Sequence, residues 1–262
     1  MTDKLQKIFR KDSGCFQYGF IRSGITGIPA VCAALDAPGT RQLKNGRKVQ
    51  AGIVETFFVK RYKLSGIFNQ LRSYFKSPRP FKVLQGTEKI TASGIETPEV
   101  YAALILWKNF YRKDYLVTSL LDEKNFFLNQ MLKNGQSDEV WQLLLTGFIP
   151  ALAKLHDSGV IHGDLSMRNL YLSSSGNVGM IDLDGVKIFS APVKNKYREM
   201  EIARLVSSFF MSMPRDPEKC GKEVVVPEEY VVAALEYYPH KQNLNNVQKK
   251  IEKFIRRGKK YL

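Results

Sequence analysis

The run His162-Gly163-Asp164-Leu165-Ser166-Met167-Arg168-Asn169, followed by Ile181-Asp182-Leu183-Asp184, constrains this chain more than any other stretch. An apolar helical run ends at Ser158, Gly159 turns the chain, and Val160-Ile161 read as a short strand that delivers His162-Gly163-Asp164 into a loop. Leu170-Tyr171-Leu172 and the run from Val178, separated by Ser173-Ser174-Ser175-Gly176-Asn177, read as two strands of a hairpin, the second ending on Asp182. A carboxylate, a carboxamide and a second carboxylate therefore meet at one end of a small sheet. Phosphoryl transfer from a nucleotide needs this set. The phosphates carry several negative charges, so a divalent metal must be held by hard oxygens, here Asn169 and Asp182. Asp164 would orient the attacking hydroxyl and accept its proton.

The pattern H-x-D-x-x-x-x-N with I-D on a following strand is the catalytic signature of the protein-kinase-like fold. With 262 residues, 44% of them hydrophobic, the chain is long enough for one such two-lobed α+β domain spanning 1–262. A small antiparallel-sheet lobe is expected over 1–120 and a mainly helical lobe over 121–262. The formal charge of +15 points to an anionic partner, whether phosphorylated glycolipid, membrane face, nucleic acid or acidic carrier protein. Cys15, Cys32 and Cys220 show no C-x-x-C pairing, which argues for buried thiols in a reducing compartment. The longest uncharged run, Val140 to Ala153, is too short to span a bilayer and reads as core. No secretory signal is visible from Met1 to Asp12, so a cytoplasmic protein is expected.

Residues 1–50 are punctuated by glycine and proline and suit strands and turns. The hairpin expected to cover nucleotide phosphates is Arg41 to Val49, turning at Asn45-Gly46, with Ser23 to Gly27 as its rival. Glu55 to Tyr62 reads as a strand carrying Lys60 for the phosphates, with Arg61 on the opposite face. From Lys60 to Lys89 eight basic residues face the single acid Glu88. Within that span Arg72, Lys76, Arg79 and Lys82, interleaved with Phe68, Leu71, Tyr74 and Phe75, form a basic amphipathic segment suited to an anionic surface. Phe81 to Ser93 reads as a helix in which Glu88 is the one acid available to pair with Lys60.

Val100 to Leu106 and Tyr115 to Leu121 read as the last strands of the small lobe, with Tyr111 to Asp114 as the turn between them and Leu116 to Leu121 as the hinge. Ser137-Asp138-Glu139 is expected to cap a long helix kinked at Pro150. Tyr197 to Met213 and Leu244 to Arg257 read as further helices, the last with Leu244, Val247, Ile251 and Phe254 on one stripe.

Phe58 to Lys63, Gly94 to Val100, His162 to Asn169 and Ile181 to Asp184, in this order and spacing, resemble the bacterial lipopolysaccharide core kinases, the Kdo and heptose kinases of the kinase-like superfamily. Arg198 and Arg204-Leu205 resemble that family's arginine-bearing helix. The resemblance implies an ATP- and Mg²⁺-dependent transfer to a sugar hydroxyl of the inner core. It assigns Asp164 as base, Asn169 and Asp182 as metal ligands, and Lys60 as the phosphate-binding lysine. It further implies peripheral work at the cytoplasmic face of the inner membrane on an anionic glycolipid. An acidic carrier protein is a further candidate partner, and no nucleic acid is expected. H-G-D-L-S-x-x-N is shared with RIO-like atypical serine kinases, which keeps an atypical serine kinase or ATPase open as an alternative, and a kinase-like scaffold that binds nucleotide without turnover stays open beside them.

Overall fold

Branched and aromatic runs in the first part of the chain build a seven-stranded antiparallel sheet in the computed structural model, which describes residues 5–12, 15–64, 66, 77–108, 111–214 and 224–258. In chain order its unit contains β1 (Leu5–Asp12), β2 (Cys15–Arg22), the helix α1 (Ile28–Ala34), β3 (Arg41–Asn45), β4 (Val49–Val54) and β5 (Phe57–Tyr62). The helix α2 (Arg79–Ala92) follows, then β6 (Val100–Lys108) and β7 (Tyr111–Ser119). The strand order is β1-β2-β6-β7-β5-β4-β3. Side chains alternate between the two faces. On one face Ile28, Val31, Cys32 and Leu35 bury against Val59, Leu104, Tyr115 and Val117. On the other, Phe81 of α2 meets Tyr18 and Phe20 edge-on at 5.6 and 5.4 Å. Burial pushes the Cys32 thiol up to about 12, which leaves it a small inert core residue.

Several local expectations change. Glu55 and Thr56 form the turn between β4 and β5, with Glu55 at φ 54°, instead of opening the strand. Tyr111 to Asp114 is the first half of β7, not a turn. Two residues apart on a strand share a face, so Arg112 donates to both carboxylate oxygens of buried Asp114, at 2.6 and 2.8 Å, and the polar run stays extended. The expected hinge is largely β7 as well. The chain leaves the sheet unit after Leu121, and Glu88–Thr97 belongs with the second compact unit. Ser23 to Gly27 leads into α1 and forms no hairpin, because Gly27 is its left-handed cap residue. Of the basic amphipathic segment, Arg79 and Lys82 lie on α2, while Phe68, Leu71, Arg72, Tyr74, Phe75 and Lys76 lie outside the described residues.

The second unit is mainly helical. It runs through β8 (Phe126–Phe127), α3 (Leu128–Lys133), α4 (Ser137–Leu143), a π-helical turn (Leu144–Phe148) and α5 (Ile149–Asp157). Then come β9 (Val160–Ile161), β10 (Leu170–Leu172), β11 (Val178–Met180), β12 (Lys187–Ile188), α6 (Asn195–Ser212), α7 (Glu228–Glu236) and α8 (Leu244–Gly258). Gln136, with no side-chain bond, holds the cap position of α4, and Ser137 is already helical. Asp138 and Glu139 do lie in the first turn, where the helix dipole favours them. The irregularity expected at Pro150 takes the form of the π-turn. Proline has no N–H for the carbonyl four residues back, and a wider turn absorbs the gap.

Val140, Leu144, Phe148, Ile149 and Leu152 are fully buried, or within 1% of it, so the longest apolar run is core. In α8 the buried stripe is Val247, Ile251 and Ile255, while Arg204 lies over the Phe254 ring at 5.2 Å. Among the described residues no helix is long and apolar enough to cross a membrane.

Candidate active site

The second unit assembles the loop from the backbone outward. β9 pairs antiparallel with β12, Ile161 opposite Lys187 and Val160 opposite Ile188. It ends at His162, which is fully buried and acts as a spacer. The Asp164 N–H donates to His162 Nδ1 at 3.3 Å, and His162 Nε2 lies 2.9 Å from the Ile181 carbonyl. With Nδ1 accepting, Nε2 is the donor, so one imidazole ties the segment before Asp164 to the segment before Asp182.

Gly163 has φ 83°, and a Cβ there would stand 2.1 Å from the Gly185 carbonyl oxygen. The H-G-D and D-L-D-G loops are thus in backbone contact that no side chain permits.

Beneath the loop lies Glu201, in the middle of α6 and fully buried. It accepts the backbone N–H of His162 at 2.9 Å and of Gly163 at 2.8 Å, and His156 Nε2 lies 3.5 Å away. Burial pushes this carboxyl upward, but the hydrogen bond and charge of His156, with those of His162, outweigh it and hold Glu201 below the usual range. Arg204, one turn on, donates to the Gly163 carbonyl. Ser208 Oγ accepts the Met167 N–H at 3.1 Å. One helix face therefore fixes the loop at four backbone groups.

Asn169 Nδ2 donates to the Asp164 carbonyl at 2.9 Å. Its nitrogen is committed inside the loop, and its Oδ1 is left for a hard cation. The Ile181 N–H donates to the Asn169 carbonyl at 2.9 Å, continuing the β10–β11 register of Leu170 opposite Met180. Asp182 thus stands one residue beyond the partner of Asn169. The strand itself stops at Met180, two residues short of the expected end. Asp182 is left-handed, with φ 56° and ψ 56°, and opens a 3₁₀ turn over Leu183–Gly185. A short polar side chain tolerates that conformation, which takes Asp182 off the strand alternation. Asp164 and Asp182 are both exposed. Among the described residues no three His, Cys, Asp or Glu side chains gather as a metal site. An amide oxygen plus a carboxylate suits Mg²⁺, which keeps waters and phosphate oxygens in most of its shell.

A second clamp lies in the segment Gly94–Pro98. Glu96 accepts from Ser175 Oγ, and from Asn177 Nδ2 at 3.1 Å, while its carbonyl accepts the Met180 N–H at 2.8 Å. The hydrogen bond from Ser175 leads in holding its carboxyl below the usual range.

In the sheet unit, Lys60 is 9% exposed in mid-β5 and pairs in register with Ala51 and Leu116. That rung continues to Ala103 and Phe20, so Lys60 shares the α2 face of the sheet. Arg61 turns to the α1 face, as expected, and bonds to Asp36 and Gln50. Gly46 closes the expected β3–β4 hairpin, with its N–H engaged by the Val49 carbonyl at 2.9 Å. Glu88 is solvent-exposed on α2.

Sequence reasoning missed Glu201, although a signal for it exists. It sits four residues before Leu205, on the stripe of Ile202, Leu205 and Phe209, where a charge must find partners. Arg198 sits on the same stripe. It is buried and bonded to the Val193 carbonyl, the Tyr238 hydroxyl and Asp157.

A family model described as the lipopolysaccharide kinase (Kdo/WaaP) family matches residues 39–233. Curated 3-deoxy-D-manno-octulosonic acid kinases from two strains of Vibrio vulnificus are 25% and 24% identical over 136 residues. Each alignment covers 49% of this chain and 56% of the relative, so the match spans about half the length of the curated relatives. Among solved structures, WaaP in complex with acyl carrier protein superposes with a TM-score of 0.60 at 14% identity, over 87% of this chain and 91% of that one. The α+β kinase-like fold expected from the sequence is thus the fold this chain shares with WaaP, and with the family model covering most of its length the chain belongs to the lipopolysaccharide kinase (Kdo/WaaP) family.

Proposed function

We propose that this chain transfers the terminal phosphate of ATP to a hydroxyl of a Kdo or heptose residue in the inner core of lipopolysaccharide. The observation that carries the reading is the loop from His162 to Asn169. Its backbone is held by Glu201, Arg204 and Ser208 while the Asp164 side chain stays exposed, which is how a positioned general base is built.

In this reading Asp164 orients the sugar hydroxyl and takes its proton. Asn169 Oδ1 and the Asp182 carboxylate would hold Mg²⁺, which would supply positive charge to offset that of the phosphates. Lys60 binds phosphate oxygens, and Glu88 is its proposed carboxylate partner. The β3–β4 hairpin around Gly46 is proposed to face the phosphates through the rest of its turn, since the Gly46 N–H is already bonded. The net charge of +15 suits an anionic glycolipid at the cytoplasmic face of the inner membrane. It equally suits an acidic carrier protein, and the WaaP structure is a complex with acyl carrier protein.

The test is transfer from labelled ATP with Mg²⁺, offering dephosphorylated lipopolysaccharide core in one reaction and a serine-rich protein in another, with Asp182→Ala as the blank. Label on the glycolipid, lost with the metal chelated, is expected. Label on the protein alone would replace this function with that of an atypical serine kinase.

A further inference from the structure

Beyond Asp184 the chain follows β12 into a loop from Phe189 to Val193 before α6 begins. The loop is fixed at both ends. The Phe189 N–H donates to the Gly159 carbonyl at 2.7 Å and the Val193 N–H to the His156 carbonyl at 2.9 Å, while Arg198 Nε donates to the Val193 carbonyl at 2.6 Å. Gly159, at φ 80°, lets it sit so close. A Cβ there would meet the Phe189 and Ala191 carbonyl oxygens at 2.6 and 2.8 Å.

Together with Ile188, Lys194, Lys196 and Tyr197, this loop walls a cavity of about 460 Å³, within the range of small-ligand sites. Phe189 and Tyr197 are both half-buried and stack with ring centroids 5.4 Å apart and planes at 29°. Lys196 Nζ lies 4.9 Å from the centre of the Tyr197 ring. Lys194 and Lys196 are exposed, and among the described residues no acidic side chain lines the cavity. Of the acids on α5 and α6, Asp157 is bonded to Arg198 and His240, Glu199 to Lys250, and Glu201 to the His162 and Gly163 N–H groups.

Two lysines without a carboxylate select an anion, and the Phe189 ring face turned away from Tyr197 suits a ligand with a C–H-rich face. A pyranose bearing a carboxylate or phosphate has both features, and exposed Ser190 at the rim offers a hydroxyl to its polar edge. We propose that this cavity is a second acceptor subsite, holding an anionic sugar of the glycolipid while another sugar presents its hydroxyl to Asp164. The inference rests on the function proposed above. Gly159 stands at most about 17 Å of extended chain from Asp164, and Phe189 at the near end of the cavity is bonded to it, a separation on the scale of a short oligosaccharide.

The test uses the whole 262-residue chain and four probes: free 3-deoxy-D-manno-octulosonic acid, glucose 1-phosphate, neutral methyl glucoside and ATP. Binding is read by calorimetry on wild type, on the double variant Lys194→Gln/Lys196→Gln and on Phe189→Leu. KM and kcat for the glycolipid are read in parallel. The lysines are exposed, so the double variant tests charge without threatening the fold.

We expect both acidic sugars to bind and methyl glucoside to bind at least about tenfold more weakly, with the double variant losing about tenfold in affinity, the scale of two screened charge contacts. Phe189→Leu should weaken sugar binding as well. KM for the glycolipid should rise by a similar factor, with kcat and the KM for ATP little changed. The tighter of the two acids names the anion. Unchanged affinity and KM in the double variant would overturn the subsite, as would ATP competing for the same lysines. Transfer to glycolipid that is indifferent to these variants removes the subsite and leaves the kinase reading intact. Sugar binding that depends on them, in a protein that moves no phosphate to glycolipid, does the reverse.

Discussion

Glu201 and Gly163 are 38 residues apart in sequence and joined by a 2.8 Å hydrogen bond, a buried carboxylate accepting the backbone N–H of the residue before Asp164. A carboxylate out of water is costly unless its oxygens are filled, and here two loop N–H groups and His156 fill them. The cost of burying the charge is thereby coupled to the shape of the loop, which is set before any substrate arrives.

Glu201→Gln keeps the size of the side chain but has one carbonyl where two N–H donors converge. Leaving one donor unsatisfied should cost about 1–3 kcal/mol of stability. Turnover should fall with little change in the KM for ATP, because the defect is in loop geometry. Urea unfolding and steady-state kinetics measure the two effects separately.

The pH dependence of stability follows from the depressed carboxyls. Glu201 and Glu96 both titrate below the ordinary glutamate value of 4.5. The unfolded chain therefore takes up protons first as pH falls. The stabilisation is complete above about 4.5 and is lost as pH drops through the lower folded-state values. Urea midpoints recorded down through this range should fall steeply in wild type. Glu96→Gln, which removes one of the depressed carboxyls, should give a shallower slope.

Gly163→Ala and Gly176→Ala form a matched pair, with φ of 83° and 84°. A Cβ at Gly176 meets nothing within 4 Å, whereas at Gly163 it would strike the Gly185 carbonyl oxygen. Gly176→Ala should lose about 1–2 kcal/mol, the penalty of a left-handed non-glycine residue. Gly163→Ala should lose more than that and also lose activity, since the H-G-D and D-L-D-G loops must separate. Equal unfolding midpoints for the two variants would refute the contact.

Asp164→Ala removes an exposed side chain and should leave thermal unfolding unchanged, because the bond to His162 comes from the Asp164 backbone. Turnover should drop at least about 100-fold, the usual scale for a general base. Asp182→Asn keeps an oxygen and removes a charge. It should raise the Mg²⁺ concentration for half-maximal transfer by about tenfold or more, read from a metal titration of activity.

The loop from His162 to Asn169, the hairpin after it, the strand carrying Lys60 and the hairpin at Gly46 were all legible, because each is encoded by neighbours in the chain. Tyr111 to Asp114 was not. Four polar residues read as a turn until Arg112 and Asp114 are seen to neutralise each other inside the sheet. The conformation of Asp182 also escaped, since a left-handed residue leaves the period-2 alternation from which a strand is read.

By itself the sequence determined the α+β kinase-like class and singled out Asn169 and Asp182 as the proposed oxygen ligands, because hydrophobic period and residue spacing are local. Only the tertiary structure decided what holds that set in place. Glu201, Arg204, Ser208 and Glu96 act on groups 38 to 84 residues away in the chain, and a buried carboxylate announces its partners only once the backbone N–H groups that satisfy it have been brought to it.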